Sequence, residues 1–378
     1  MKRHAPLPPL ALFGLALVAA CSDRAPLAPT SDAGIAADRA ITAGTTVGAP
    51  RISALSRNIY IGANVDAVIQ ALASPDPTDD LPALNAAVMT LQQTAFPARA
   101  EALADEIATH RPHVVGLQEV EQLAIDLRAL GLPVKIDLDF LAILQAALAA
   151  RGLNYAVAAK VRAVEAAPIP GITVLDHEVL LVDAARVTVG PAKIERTFTA
   201  NLGVVAPGVN LKRGWVQINV TIDGMPMTVA STHLEAGDLP GLELLRAAQA
   251  TELMAFLGAA SPAILLGDLN DDEGSPMYQV VTGAGFVDAW RALRPGARGL
   301  TCCHVADLSN TVAGKEFDQR IDYVLARGLA HPSGSLHGQV SIVGSTPGDR
   351  VAGPFYPLWP SDHAGVVARL LLPPAAVP

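Results

Sequence analysis

Cysteine is scarce: the 378 residues hold three, Cys21, Cys302 and Cys303. So few exclude a disulfide scaffold, and their spacing matches no paired zinc-ligand pattern. Concentrated charge is missing too. The 36 acidic and 27 basic residues give a formal charge of −9, with no block of like charges along the chain. Attachment to nucleic acid through a broad basic surface is therefore disfavoured, although a nuclease whose metal ion meets the scissile phosphate can keep an acidic average. Several catalytic signatures are absent as well. His177-Glu178 lacks the following histidine of a zincin, and there is no Walker A loop and no Gly-x-Ser-x-Gly elbow. What the chain has in quantity is apolar: 51% of its residues are hydrophobic, ample for a packed core and against disorder as the main state.

The N-terminus accounts for the first cysteine. Lys2 and Arg3 precede an apolar run, Leu10–Ala20, and Val18-Ala19-Ala20 sets small residues before Cys21. The run is about half of the ~20 residues that span a bilayer, so a cleaved signal over residues 1–20 is expected rather than a retained span. The pattern resembles a bacterial lipoprotein signal with its lipobox. That resemblance implies lipidation at Cys21, membrane contact through the N-terminal lipid anchor, and residence in the bacterial cell envelope on its periplasmic or surface side. Residues 21–50, rich in Ala, Pro, Thr, Ser, Asp and Gly without apolar periodicity, read as a flexible tether. Residues 51–375 read as one domain, with no internal repeat and no second linker.

Within that domain, buried strands ending in polar residues are expected at Ile59–Ile61, Val114–Leu117, Val179–Val182, Met227–Ser231, Ala263–Leu266, Ile321–Leu325 and Ala364–Leu372. Asp223-Gly224 between Val216 and Val229 is a hairpin signal. Helices are expected at Asn64–Ala73, at Ala83–His110 with Pro97 breaking or kinking it, at Leu138–Ala150 and at Gly241–Leu257. Strands with interspersed helices and antiparallel hairpins argue for an α/β sandwich over a doubly wound parallel sheet.

One pattern recurs: an apolar strand, then a carboxylate, amide or imidazole. The tips are Asn58, Glu119, His233, Asp268 with Asn270, Asp322, and Asp362 with His363. Here the chain resembles the endonuclease/exonuclease/phosphatase family, the DNase I-like metal-dependent phosphohydrolases. The matching pieces are Ser56-Arg57-Asn58-Ile59-Tyr60, Gly116-Leu117-Gln118-Glu119-Val120, Ser231-Thr232-His233-Leu234, Gly267-Asp268-Leu269-Asn270, Arg320-Ile321-Asp322-Tyr323 and Ser361-Asp362-His363, in the family's order.

The resemblance implies a four-layered α/β sandwich, with two mixed, largely antiparallel sheets packed face to face and helices outside. It also implies hydrolysis of phosphate esters. A phosphodiester anion repels an attacking hydroxide, so such a site needs positive charge at the phosphoryl oxygens and a base at the water. A hard cation such as Mg²⁺, with Mn²⁺ or Ca²⁺ as alternatives, meets the first need and prefers oxygen ligands. By the same resemblance Glu119 is the principal metal ligand, with Asn58 close by and Asp362 as a further ligand. Asp268 and Asn270, two apart on a strand end, are placed to orient water and phosphate. Asp322 pairs with His363, and His233 is the second imidazole, oriented by Asp176 or, where the match shifts by two residues past His177, by Glu178. Either Asp268 or the Asp322–His363 pair is the base. Arg213 is open between phosphate binding and a solvated loop.

Tyr60 stands where abasic-site endonucleases carry a polar residue. It is assigned to the substrate, and Asn-x-Tyr is similar to secreted bacterial sphingomyelinases. Phe355, Tyr356 and Trp359 just before Ser361 either wall a lipid-facing or base-stacking pocket or pack beneath the site. Adjacent Cα atoms lie about 3.8 Å apart, below the ~4.4–6.8 Å usual for a disulfide, so Cys302 and Cys303 are expected as reduced thiols. The expected substrate is a phospholipid or other small phosphodiester, or extracellular nucleic acid, which enters only as substrate; no obligate protein partner is implied. A non-catalytic envelope lipoprotein binding through the same fold is the alternative, and its mark would be a missing catalytic side chain.

Overall fold

Apolar residues dominate the buried faces of the strands, and covering those faces stacks the strands as two sheets. The computed structural model describes residues 50–311, 317–331 and 334–373. The expected signal, Cys21, all of the tether but its last residue, and the last two residues of the expected domain lie outside them.

In chain order the strands are β1 (Arg51–Asn58), β2 (Val114–Gln118), β3 (Gln122–Asp126), β4 (Lys135–Asp139), β5 (Tyr155–Ala166), β6 (Ile172–Asp183), β7 (Val187–Thr197), β8 (Gly203–Ala206) and β9 (Val209–Leu211). They continue as β10 (Gly214–Ile222), β11 (Met225–His233), β12 (Ala263–Asp268), β13 (Val287–Asp288), β14 (Asp322–Arg327), β15 (Gly338–Val343), β16 (Val351–Ala352), β17 (Pro357–Leu358) and β18 (Gly365–Leu371). The helices are α1 (Val65–Ala73), α2 (Asp80–Thr94), α3 (Phe96–His110), α4 (Phe140–Ala150), α5 (Leu242–Leu257), α6 (Pro276–Gly283) and α7 (Ala289–Leu293).

The first sheet runs β15-β18-β1-β2-β6-β5-β9-β8, with β3 and β4 added at β6; the second runs β13-β14-β12-β11-β10-β7. Three cores separate four layers. Leu103, Phe140 and Leu144 pack α3 and α4 on the outer face of the first sheet. Ile52, Leu180, Val216, Ile264 and Val324 fill the space between the sheets. Leu253, Leu257 and Met277 cover the second sheet with α5 and α6. The sandwich expected from the resemblance is therefore the observed fold. Gly116 shows how closely the sheets approach, since a Cβ there would lie 2.5 Å from Ser231 Oγ and 2.9 Å from Leu266 Cβ.

Local differences from the sequence reading have local causes. The first strand ends at Asn58, before the expected Ile59–Ile61, because Tyr60 takes a positive φ of 61° that no strand accommodates. The long helix divides at Ala95, whose φ of 33° ends α2, while Pro97 sits harmlessly in the first turn of α3. Asp223 and Gly224 turn the β10–β11 hairpin at φ 49° and 81°, as their pairing predicts. Strands β5 and β7 escape the hydrophobic pattern because polar and charged residues line their exposed faces.

At the start of β2, buried His113 accepts the Ser53 amide on Nδ1 at 3.0 Å. Burial, with Arg186 adding to it, holds its pKa down to about 4. The unfolded chain binds this proton near the ordinary value of about 6.5, so unfolding takes up a proton between the two values and stability falls as pH drops through that window. Discounted for partial exposure, the loss at pH 5 is about 1 kcal/mol. His113→Asn keeps an acceptor for Ser53 and removes the titration. Urea unfolding at pH 7 and pH 5 is expected to show a smaller acid loss in this variant, and equal losses in variant and parent would refute the assignment.

Candidate active site

Each sheet contains one parallel pair, β1 with β2 and β11 with β12. Parallel strands end on the same side, so Asn58 comes level with Gln118, just before Glu119, and His233 comes level with Asp268. Antiparallel neighbours bring their beginnings to the same edge. Asp322 opens β14 opposite Asp268, and Ser361-Asp362-His363 enters β18 beside the end of β1, where Ser361 Oγ donates to the Asn58 carbonyl at 2.8 Å.

A hydrogen-bonded chain crosses between the sheets at this edge. Asn58 Nδ2 donates to Glu119 Oε1 at 2.8 Å and to Asp268 Oδ2 at 3.0 Å. Glu119 Oε2 accepts from the Ile61 amide at 2.8 Å, and Asn58 Oδ1 accepts from the Tyr60 amide at 2.9 Å. His363 Nδ1 lies 2.9 Å from Asp322 Oδ2 and 3.7 Å from Asp268 Oδ2. His233 Nε2 faces Asp268 Oδ2 at 3.5 Å. Asp268 thus stands between the two imidazoles.

Two buried arginines hold the loops that carry these residues. Arg99 on α3 donates to the carbonyls of Ile59, Tyr60 and Pro360 at 2.6, 2.8 and 3.1 Å, clamping the segment after β1 to the one before Asp362. Arg57 forms an ion pair with Glu106 at 3.0 Å and donates to the carbonyl of His363.

Burial and charge drive the two imidazoles apart. Burial disfavours a charge on His363, but Asp322, Asp268 and Asp362 more than offset it and raise its pKa well above the ordinary value. His233 moves well below, through burial and then Arg213 and His363. Burial beside Asp322 pushes Asp268 up to about 7, against the pull of His363. Burial pushes Asp362 up to about 6, with His363 opposing and Glu119 reinforcing. Before any cation binds, the edge therefore holds a cationic imidazole, a neutral one, and between them a carboxyl group that titrates near neutrality.

The endonuclease/exonuclease/phosphatase family profile matches residues 84–363, a stretch that carries the site from Glu119 to His363. The chain belongs to the endonuclease/exonuclease/phosphatase family. Members of this family hydrolyse phosphoester bonds. Among solved structures, the chain is similar to an endonuclease/exonuclease/phosphatase from Beutenbergia cavernae at 20% identity and TM-score 0.57, covering 87% of this chain and 73% of that one. It is similar to a family protein from Bacteroides thetaiotaomicron at 16% identity and TM-score 0.53, covering 85% and 94%. It is also similar to a mannosyl-6-phosphatase from the same organism at 18% identity and TM-score 0.52, covering 85% and 100%. These likenesses are of fold. No curated protein sequence matches the chain.

Within this family framework, the sequence-derived candidates Asn58, Glu119, His233, Asp268, Asp322, Asp362 and His363 gather at the edge just described. Others sit differently. Asn270 lies beyond the end of β12 with φ 51°, so strand alternation does not govern it. Its amide donates to the Leu234 carbonyl at 3.0 Å, and its backbone N–H donates to Asp268 Oδ1 at 3.0 Å. Tyr60 is buried with its hydroxyl on the Ala306 carbonyl at 2.8 Å, a poor position for touching substrate. Trp359 is buried and stacks on His304 at 4.2 Å, while Phe355 is exposed, so most of that aromatic segment packs beneath the site. Cys302 and Cys303 are joined as a disulfide, against the expectation of reduced thiols. Cys303 Sγ lies 3.9 Å from His363 Nε2.

The largest correction concerns His233. Asp176 is not its orienting partner. Arg213 Nη1 lies 3.1 Å from His233 Nδ1, so that nitrogen accepts and Nε2 carries the proton toward Asp268. The nearest carboxylate of β6 is Glu178, at 3.8 Å. Both Asp176 and Glu178 point to this side because they are two apart on one strand, whereas His177 points away to the Val120 carbonyl at 3.1 Å. Arg213 is buried, not a solvated loop residue. Burial opposes its charge, but Glu235, Asp176, Glu178 and Glu119 outweigh that and raise its pKa. Sequence reasoning missed Arg99, Glu106 and Glu235, and had Glu178 only as the position two beyond Asp176. The three missed residues come from distant segments and leave no local trace.

The family generally uses a divalent metal ion, and the residues present fit one. Most donors at the edge are oxygens, the set hard cations prefer, and each of the two carboxylate clusters there, Asp176–Glu178 and Asp268–Asp322, has one imidazole beside it. Several buried carboxylate oxygens, namely Asp322 Oδ1, Asp176 Oδ1 and both of Glu178, lack a hydrogen-bond partner. Such atoms call for a proton or a cation.

Proposed function

We propose that the protein is a metal-dependent hydrolase of phosphate esters, acting best on phosphodiesters. The observation that carries this reading is the single edge where Glu119, Asn58, Asp268, His233 and the Asp322–His363 pair meet. Glu119 and Asp362, with Asn58 bridging Glu119 to Asp268, would hold Mg²⁺ or a cation like it. Such a cation, when bound, withdraws charge from the phosphoryl oxygens. Asp268, poised near neutrality, takes the proton of the attacking water while Asn270 fixes its carboxylate through the backbone N–H. His363, kept protonated by Asp322, donates to the leaving oxygen as its bond to phosphorus breaks. Neutral His233 donates through Nε2, and Arg213 supplies positive charge at the Glu119 side. Divergent pKa values on neighbouring groups are what an acid and a base need in one site. From the N-terminal signal at Cys21 we further propose that this chemistry takes place at the cell envelope.

Bis(p-nitrophenyl) phosphate tests the reading. Turnover is expected with Mg²⁺, to be lost on exhaustive chelation, and to return on adding Mg²⁺, with Mn²⁺ and Ca²⁺ as separate arms. Turnover that survives chelation would remove the metal from the reading. No turnover of this ester, plasmid DNA, RNA, inositol phosphates or phospholipid, together with tight binding of one of them, would make the protein a binding module.

A further inference from the structure

Beside the catalytic edge a cavity of about 640 Å³ opens among the described residues, and its walls are of two kinds. Its charged lining is Asp66, Glu119, Glu121, Asp176, Arg213 and Glu235. Away from them the lining is aliphatic, with Leu72 of α1, Val88 of α2, Leu123 of β3, Val164 of β5, Val174 of β6 and Leu211 of β9 each contributing a wall. Ile61, which lines the cavity, donates its backbone N–H to Glu119 at 2.8 Å. Leu202 and Val204 also line it and stand 43% and 75% exposed, so the apolar surface continues outward to water.

The lining decides between substrate chemistries. No aromatic ring faces the cavity among the described residues, so there is no platform on which a nucleobase could stack. Beyond the charged groups the walls carry few groups that could bind sugar hydroxyls, and water held among aliphatic side chains lacks the two to four polar partners it needs. A hydrocarbon chain needs none. Aliphatic walls drawn from helices and strands alike, next to a phosphate-processing edge, match an amphiphile with its phosphate at one end and a chain at the other.

We propose that the protein hydrolyses amphiphilic phosphodiesters, with one linear hydrocarbon chain of the substrate seated in this cavity and the phosphate at Glu119 and His363. This rests on the hydrolase reading above. In the reaction water adds its oxygen to phosphorus, the P–O bond to the leaving alcohol breaks, and the leaving oxygen receives the proton.

Alkyl p-nitrophenyl phosphates from ethyl to octyl test it, because the phosphodiester and the leaving group stay constant while one chain lengthens. Below their aggregation thresholds, each methylene that leaves water is worth roughly fourfold in binding. The octyl ester is accordingly expected to exceed the ethyl ester in kcat/KM by at least about 100-fold. Ala87→Phe on α2 and Ala166→Phe on β5 each place a ring into the cavity from a different wall. The octyl-to-ethyl ratio, taken within each variant so that overall losses cancel, is expected to fall toward one.

Ethyl turnover with no gain from chain length in the parent overturns the proposal and leaves the hydrolase reading standing. A gain that persists unchanged in both variants overturns the seating in this cavity. Turnover of no ester fails the hydrolase reading, and the proposal with it.

Discussion

Replacing His363 with alanine is expected to lower kcat/KM for a phosphodiester with an alkyl alcohol as leaving group by roughly 10²- to 10⁴-fold, with the fold retained. The reason is positional as much as chemical. The ring is fixed by Asp322 at 2.9 Å, and its backbone N–H donates to Ser361 Oγ at 3.2 Å, so no water could take its place in the same geometry. Three carboxylates hold it protonated, and an imidazolium aimed at the leaving oxygen is what alanine deletes. Asp322→Asn separates this role from simple packing. It keeps the shape of the pair but removes the negative charge that raises the imidazole pKa, so the alkaline limb of the pH–rate profile is expected to move to lower pH with a smaller loss of rate. His363→Ala retaining more than about a tenth of parental activity, with secondary structure unchanged by circular dichroism, would sink the role assigned to this residue.

Glu106→Ala is expected to destabilise the protein by about 3–5 kcal/mol. Arg57 has 1% of its side chain exposed and Glu106 has 8%, so deleting the carboxylate strands a guanidinium in a place water does not reach. Arg57 also donates to the His363 carbonyl, and the strain is expected to loosen the site before the whole molecule unfolds. Burial pushes the Glu106 pKa up while Arg57 pulls it down, the mark of a pair whose desolvation cost is close to its attraction. For that reason the double replacement Arg57→Met with Glu106→Leu is expected to recover most of the stability lost by the single variant, since a matched apolar pair leaves no charge behind. Urea unfolding with comparison of m-values measures both. A change under about 1 kcal/mol for Glu106→Ala would show that the pair is solvated and does not pin β1 to α3.

The two variants also mark where the sequence was and was not readable. His363, Asp322 and Asp268 could be chosen from the sequence because each follows an apolar strand and because the short motifs around them keep the family's order. Arg57 sits inside one of those motifs, yet its partner could not be chosen: Glu106 is one of several acids on a helix, and nothing in the spacing singles it out. His233 shows the intermediate case. Its place at the end of β11 was legible and Asp176 was expected to orient it; Asp176 and Glu178 lie within 4.8 Å of it, but the nearest partner of Nδ1 is Arg213 from the loop before β10, at 3.1 Å.

What the sequence determined by itself was most of the strands that carry the polar tips, the hairpin at Asp223-Gly224 and the family, all of which depend on interactions between residues a few positions apart. Alternation, turn residues and caps are short-range rules, and they survive without knowledge of the fold. The tertiary structure alone decided which tips meet. Asn58 and Asp268 share a hydrogen bond across 210 residues of chain, and that contact exists because two parallel strand pairs, one in each sheet, end at the same edge. It also decided the aliphatic cavity beside Glu119, whose walls come from eight separate elements, and the protonation of His363, which depends on how closely three carboxylates are packed around one ring. Pairing, enclosure and proton affinity are sums over distant neighbours, and distance along the chain says little about them.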